Sequence, residues 1–278
     1  MKPLNDPLVS TTWLSERLRN PLIRVVDASW FLPSAGRDAK AEFVKAHIPR
    51  AVFFDIDAIS DRSNPLPHML PAPEDFAQAV GALGISNDTM VVAYGTAAAR
   101  AWWMFRAMGH ELVKVLDGGM SRWTTEMRPV DSGETLQRPM PFEARLRPQL
   151  VKSFDEVKAA LANGGQVLDA RPADRFQGKT AEPRPGLASG HMPGALSAPS
   201  TSFVTADGGY VSKEEAEAIL TKVGLNPASP LTATCGSGVA ACVPALMLAR
   251  LGHWDTAVYD GSWSEWGARD DAAVATGR

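Results

Sequence analysis

The chain has 278 residues, a formal net charge of −3, and 45% hydrophobic residues. That balance excludes a globally disordered chain, and without a block of like charge it gives no sign of a nucleic-acid surface or a charged tail. The length suits two ordinary domains or one large one.

Met1-Lys2-Pro3-Leu4-Asn5-Asp6-Pro7 lacks the apolar core of a signal peptide. The first strand candidates follow at 22–26, 51–54, 90–94 and 113–116, short apolar runs rich in β-branched residues. From 131 to 149 the composition turns to linker: Pro139, Pro141 and Pro148 among polar and charged residues, expected to be extended and on the surface. Ser153-Phe154-Asp155-Glu156 and Ser212-Lys213-Glu214-Glu215 are capping boxes that open helices. The second of these helices is expected to stop near Gly224. A strand at 231–234 runs into a glycine-bearing loop and then a helix. Pro244 is a misfit in that helix and predicts a kink or break. The longest apolar stretch, 238–249, is too short to span a bilayer.

The chain is a repeat. Asp27-Ala28 and Asp169-Ala170 stand 142 residues apart, and His47-Ile48-Pro49 and His191-Met192-Pro193 stand 144 apart. Gly109-His110 and Gly252-His253, Asp117-Gly118 and Asp260-Gly261, and Trp123 and Trp266 are each 143 apart. Matching islands in one order at nearly one spacing imply two copies of one domain: 1–133, a linker at 134–149, and 150–278. Alternating strands and helices imply an α/β fold, each copy a mostly parallel sheet flanked by helices on both faces. Ligands in such sheets bind beyond the carboxyl ends of strands.

Cys235 lies at such an end, in Thr234-Cys235-Gly236-Ser237-Gly238-Val239-Ala240. A thiol there meets backbone N–H groups and the positive end of a helix, which favour thiolate. Copy one has Gly95 at the equivalent place, so it cannot do thiol chemistry. The only other cysteine, Cys242, falls inside the following helix and reads as core. With no disulfide framework, a reducing, cytoplasmic setting is expected. Features shared by both copies, His47 and His191 above all, read as fold-maintaining, because copy one is inert. Trp102, Trp103 and Phe105 read as packing.

These residues carry a resemblance to the two-domain rhodanese-type sulfurtransferases, over nearly the whole chain. In copy one it rests on Asp27-Ala28-Ser29-Trp30, Phe53-Phe54-Asp55-Ile56-Asp57, His68-Met69-Leu70-Pro71 and Arg100-Ala101-Trp102-Trp103-Met104-Phe105-Arg106. In copy two it rests on Asp169-Ala170-Arg171, Arg175-Phe176-Gln177-Gly178, Glu182-Pro183-Arg184 and Gly190-His191-Met192-Pro193-Gly194-Ala195. The loop Cys-Gly-Ser-Gly-Val resembles the branch that uses 3-mercaptopyruvate. Thiosulfate-preferring rhodaneses usually carry basic residues at the positions of Gly236 and Ser237.

The resemblance implies a nucleophilic Cys235 that carries sulfur as a persulfide, with the backbone N–H groups of Gly236, Gly238, Val239 and Ala240 holding its charge. It implies Arg175 and Arg184 on the substrate carboxylate, a role suited to the planar guanidinium fork. Ser237, His68 and Asp57 map to proton handling, Asp57 orienting the imidazole, with Asp55 and Asp61 as nearby alternatives. Arg171 reads as a structural ion pair. No cofactor and no metal is implied. The expected partners are 3-mercaptopyruvate and a sulfur acceptor such as thioredoxin, a small thiol or cyanide, with no nucleic acid and no membrane. Two departures stand out: Ala240 where the family usually has threonine, and a short loop 95–99.

Rival readings are a thiosulfate:cyanide sulfurtransferase and a non-catalytic binding module. A cysteine phosphatase is excluded because its Cys-x5-Arg loop would need arginine at Ala241. The scattered histidines and two cysteines lack zinc-ligand spacing.

Overall fold

The computed structural model describes residues 6–277. Residues 1–5, part of the segment judged to lack a leader core, lie outside them. The described residues form two compact units. The first comprises the residues through Arg62 with Leu70–Arg147 and Ala206–Tyr210; the second comprises Ser63–Met69, Pro148–Thr205 and Val211 onward.

In the first unit the elements run β1 (Leu8–Val9), α1 (Thr11–Ser15), β2 (Ile23–Asp27), α2 (Ala39–Lys45), β3 (Val52–Phe53), α3 (Pro73–Ala82), β4 (Met90–Tyr94), α4 (Ala98–Ala107), β5 (Val113–Leu116) and α5 (Gly119–Thr125). The strands form one sheet in the order β1-β5-β4-β2-β3, and the paired strands are parallel. The second unit repeats the plan: β6 (Val151–Lys152), α6 (Phe154–Ala162), β7 (Gln166–Asp169), α7 (Ala173–Phe176), β8 (Leu196–Ser197), α8 (Lys213–Lys222), β9 (Leu231–Thr234), α9 (Cys242–Arg250), β10 (Ala257–Tyr259) and α10 (Ser262–Trp266). Its sheet order is β6-β10-β9-β7-β8, again parallel. One strand order occurring twice is the repeat in three dimensions. The short strands are buried along most of their length, which is why they read as apolar runs and not as alternating ones.

Local signals translate directly. Ser153 and Ser212 each accept the N3 amide, while Glu156 and Glu215 reach back to the cap amide. Gly224 sits at φ +82 beyond the end of α8. Pro244 departs from expectation: α9 is not broken. It begins at Cys242, so Pro244 falls in the first turn, where the proline's missing N–H has no helical acceptor to lose. Cys242 is therefore the first helical residue, and it is fully buried.

The proline-rich segment is extended and mostly exposed, yet anchored to the first unit. Met140 N–H donates to Gly81 O at 2.9 Å, Arg147 N–H donates to Ala107 O at 2.7 Å, and the Phe142 ring packs among Phe76, Phe105 and His110. Ala206–Tyr210 joins the same unit because Asp207 pairs with Arg122 at 2.8 Å and Asp117 accepts the Tyr210 amide at 2.8 Å.

The two shared histidines do the same job in each unit. His47 stacks on Phe43 with centroids 4.2 Å apart and donates from Nδ1 to Phe43 O at 2.8 Å. His191 stacks on Phe176 at 3.8 Å and donates from Nδ1 to Phe176 O at 2.8 Å. Trp102, Trp103 and Phe105 are buried. His191→Ala and His47→Ala are each expected to lower unfolding stability by about 2–3 kcal/mol, through a lost buried hydrogen bond and lost packing. Urea titration followed by tryptophan fluorescence checks this.

Candidate active site

Cys235 follows β9 directly and is 2% exposed. Both of its peptide groups are held by the start of α10. Its N–H donates to Ser262 Oγ at 3.2 Å, and its C=O accepts the Trp263 N–H at 2.9 Å. The next carbonyl, Gly236 O, accepts both the N–H of Ser264 at 2.8 Å and its hydroxyl at 2.7 Å. Ser262 manages this from a left-handed backbone, φ +50, with its own hydroxyl donating to Tyr259 O at 2.7 Å. A serine at positive φ is strained, and such strain clusters at functional sites.

Beyond Cys235 the chain turns through Gly236 to Ala241 before α9 starts. Gly238 takes φ +75, a conformation few other residues adopt, and its carbonyl accepts the Cys242 thiol at 3.2 Å. Among the described residues, the amides of Gly236, Ser237, Val239 and Ala240 donate to no protein acceptor. A run of uncommitted N–H groups in a tight turn is a cradle for negative charge. Ser237 is buried, and Val239 and Ala240 are half-buried.

Arg175 comes from α7 and lies against this loop: a Cβ built on Gly236 would stand 3.6 Å from Arg175 Nη2. Its Nε is buried with no hydrogen-bond partner and stands 3.8 Å from Glu182 Oε1. Arg184 is half-buried on the bend between Pro183 and Pro185. Arg171 makes the ion pair expected of it. Its Nε and Nη2 bind both oxygens of Asp169 at 2.7–3.1 Å, its Nη1 meets Glu182 Oε1 at 2.8 Å, and its guanidinium stacks 4.0 Å from the Trp263 ring. Burial works against its charge, but Asp169 and Glu182 outweigh that and hold its pKa above the ordinary arginine value.

His68 belongs to a segment of the second unit. It is buried, with φ +61. Asp57 belongs to the first unit, is exposed, and accepts the Trp30 indole N–H at 2.9 Å. Asp55, the nearby alternative, is committed to the amides of Asp57 and Ala58. The second unit thus brings Cys235, its loop, Arg175, Arg184 and His68 into one compact body, and Asp57 lies in the other.

Sequence reasoning left out Ser262, Trp263, Ser264 and Glu182 as site residues. A signal existed in the repeat: Gly119-Met120-Ser121 stands where copy two has Ser262-Trp263-Ser264. The first copy also closes the cysteine position physically. At Gly95, φ +99, a Cβ would lie 2.5 Å from Ser29 Oγ and 2.6 Å from Ser29 N.

A parallel α/β unit that presents a cysteine at a strand end, in a turn of free amides, defines the rhodanese type of domain. Residues 10–126 and 153–269 both match the Rhodanese-like domain model, and the chain belongs to that family. It is 43% identical to human 3-mercaptopyruvate sulfurtransferase over 98% of this chain and 96% of that protein. It is 46% identical to a thiosulfate sulfurtransferase of Gallus gallus over 95% of this chain and 94% of that one. Among solved structures, the Escherichia coli 3-mercaptopyruvate sulfotransferase SseA superposes with a TM-score of 0.85 at 39% identity, covering 94% of this chain and 100% of that one.

Ser262→Gly relieves the strained backbone but removes the acceptor for the Cys235 amide. The variant is expected to fold, and its Cys235 to react with iodoacetamide several-fold faster than in the wild type, while Cys242 stays protected. Peptide mapping of the alkylated sites checks this.

Proposed function

We propose that this sulfurtransferase takes sulfur from 3-mercaptopyruvate and passes it, through a persulfide on Cys235, to a thiol or cyanide. The observation that carries the reading is the Cys235 loop itself. A nucleophile pinned at both peptide groups is followed by uncommitted amides, with the Arg175 guanidinium against Gly236.

In the first half-reaction the Cys235 thiolate attacks the donor sulfur. The carbon–sulfur bond breaks, its electron pair goes to pyruvate enolate, and protonation at carbon yields pyruvate. Ser237 and His68 are the groups assigned to that proton. In the second half-reaction an acceptor thiolate or cyanide attacks the outer sulfur and regenerates the Cys235 thiolate. The loop amides stabilise the negative sulfur in both, and donors of this kind are worth roughly 3–4 kcal/mol each in other enzymes. Arg175 and Arg184 hold the carboxylate, nine positions apart on α7 and on the proline-bounded bend. Thioredoxin-type dithiols and small thiols are the acceptors this site would serve. The two free cysteines agree with a reducing, cytoplasmic setting. Among the described residues no helix is long and apolar enough to cross a membrane.

Thiosulfate is the second donor to weigh, because a relative named for it is 46% identical. Favouring mercaptopyruvate, Gly236 and Ser237 supply no fixed charge for a dianion, and a basic side chain at Gly236 would crowd Arg175.

Mixing the protein with mercaptopyruvate should add the mass of one sulfur atom, and Cys235→Ser should add none. An unmodified wild type would instead support a non-catalytic module. The specificity constant kcat/KM is expected to be higher for mercaptopyruvate than for thiosulfate, and the reverse order overturns the donor assignment. Arg184→Ala should raise KM for mercaptopyruvate at least about tenfold in a folded protein, as loss of a charged hydrogen-bond partner implies; an unchanged KM removes Arg184 from the carboxylate site. His68→Gln should slow pyruvate release, and an unaltered kcat takes His68 out of the mechanism.

A further inference from the structure

Asp169, Arg171, Glu182 and Arg175 form a row of alternating charge inside the second unit. The Asp169 and Arg171 side chains are fully buried, Glu182 is 2% exposed and Arg175 19%. Glu182 Oε1 serves two cations, Arg171 at 2.8 Å and Arg175 at 3.8 Å. Toward Arg171 the contact is a hydrogen bond. Toward Arg175 it is a charge contact only: the Arg175 Nε stands 3.8 Å away and has no hydrogen-bond partner among the described residues.

The repeat separates fold from function in this row. Asp27 accepts the Ser29 amide at 2.9 Å, as Asp169 accepts the Arg171 amide at 2.9 Å. Copy one therefore keeps the turn but has serine where copy two has the guanidinium. A buried arginine at this position is not needed to build the domain. The second copy carries it next to Glu182, and Arg171 in turn is gripped by Asp169, Gly190 O and the Trp263 ring. Trp263 is the residue whose amide holds the Cys235 carbonyl. The row thus links the arginine facing the loop to the element that fixes the nucleophile.

We propose that Glu182 is a positioning residue that sets the donor charge this site accepts. It keeps the Arg175 guanidinium beside Gly236, and it offsets one positive charge, so a donor with a single carboxylate is preferred over a dianion such as thiosulfate. The two carboxylates and two guanidiniums sum to zero. Without Glu182 the row carries one net positive charge in a low-dielectric setting, where a unit charge at this range acts strongly on an incoming anion. This rests on the carboxylate role given to Arg175 above.

The test is steady-state kinetics of the full chain with both donors for wild type, Glu182→Gln and Glu182→Asp. For Glu182→Gln, KM for mercaptopyruvate is expected to rise about tenfold with kcat within about threefold. KM for thiosulfate should stay level or fall, so the kcat/KM ratio of the two donors drops about tenfold or more. Glu182→Asp keeps the charge, and its ratio should lie closer to wild type. A ratio that does not move, or equal losses on both donors, overturns the proposal and leaves Glu182 a structural residue. If the wild type shows no thiosulfate turnover, its appearance in Glu182→Gln is the expected result and its absence overturns. If Glu182→Gln does not fold, Glu182→Met, uncharged and of similar length, takes its place: the kcat/KM ratio should again drop about tenfold or more, and an unmoved ratio overturns. A wild type inert toward mercaptopyruvate defeats the donor assignment itself, and this inference falls with it.

Discussion

The Cys235 loop depends on three consecutive residues holding three consecutive peptide groups. Ser262, Trp263 and Ser264 satisfy the Cys235 amide, the Cys235 carbonyl and the Gly236 carbonyl. A parallel strand whose end is buried leaves its last polar groups to be satisfied by other elements. Here α10 satisfies them, and so the strand end becomes a fixed platform. Once those groups are spoken for, the following amides have no acceptor to compete for, and the turn through Gly238 can present them together. Donors preorganised in this way need no rearrangement to meet a negative charge.

The duplication works as an internal control. Both copies keep the strand order, the stacked histidine, the aspartate that caps its own turn and the buried tryptophan that follows the Asp-Gly pair. These parts build the domain. Cys235, Ser262, Trp263, Arg171 and the cysteine loop occur in copy two without counterparts in copy one. Separating the two sets needs no comparison beyond this one chain.

Much of this was readable before any coordinates. Alternating apolar runs and capping boxes announced the parallel α/β units, and the internal offset announced their number. Cys235 stood out because a thiol between a buried strand and a glycine turn has few structural reasons to be there. Pro244 runs against its reading, because proline is disruptive only where its amide is needed, and a helix that starts at Cys242 puts Pro244 in its first turn. Ser262 was hidden for a different reason: its role depends on a left-handed backbone and on a neighbour 27 positions away, and no short-range pattern encodes either. Glu182 was visible only as part of a motif, since a carboxylate shared by two guanidiniums is a fact of packing. The short segments 63–69 and 206–210 also group with the unit that the chain order would not assign to them, because contacts made by loops are not written in periodicity.

Gly95 bears on why only one copy can carry a thiol at this place. With Ser29 Oγ and N so near that a Cβ has no room, the first copy lacks more than a thiol; its packing closes over the position where one would stand. A single codon change to cysteine would produce a clash and not a second centre. Ser29 and the turn around it would have to retreat in the same step. Close packing thus holds the asymmetry between the copies in place, whatever the residue at this one position.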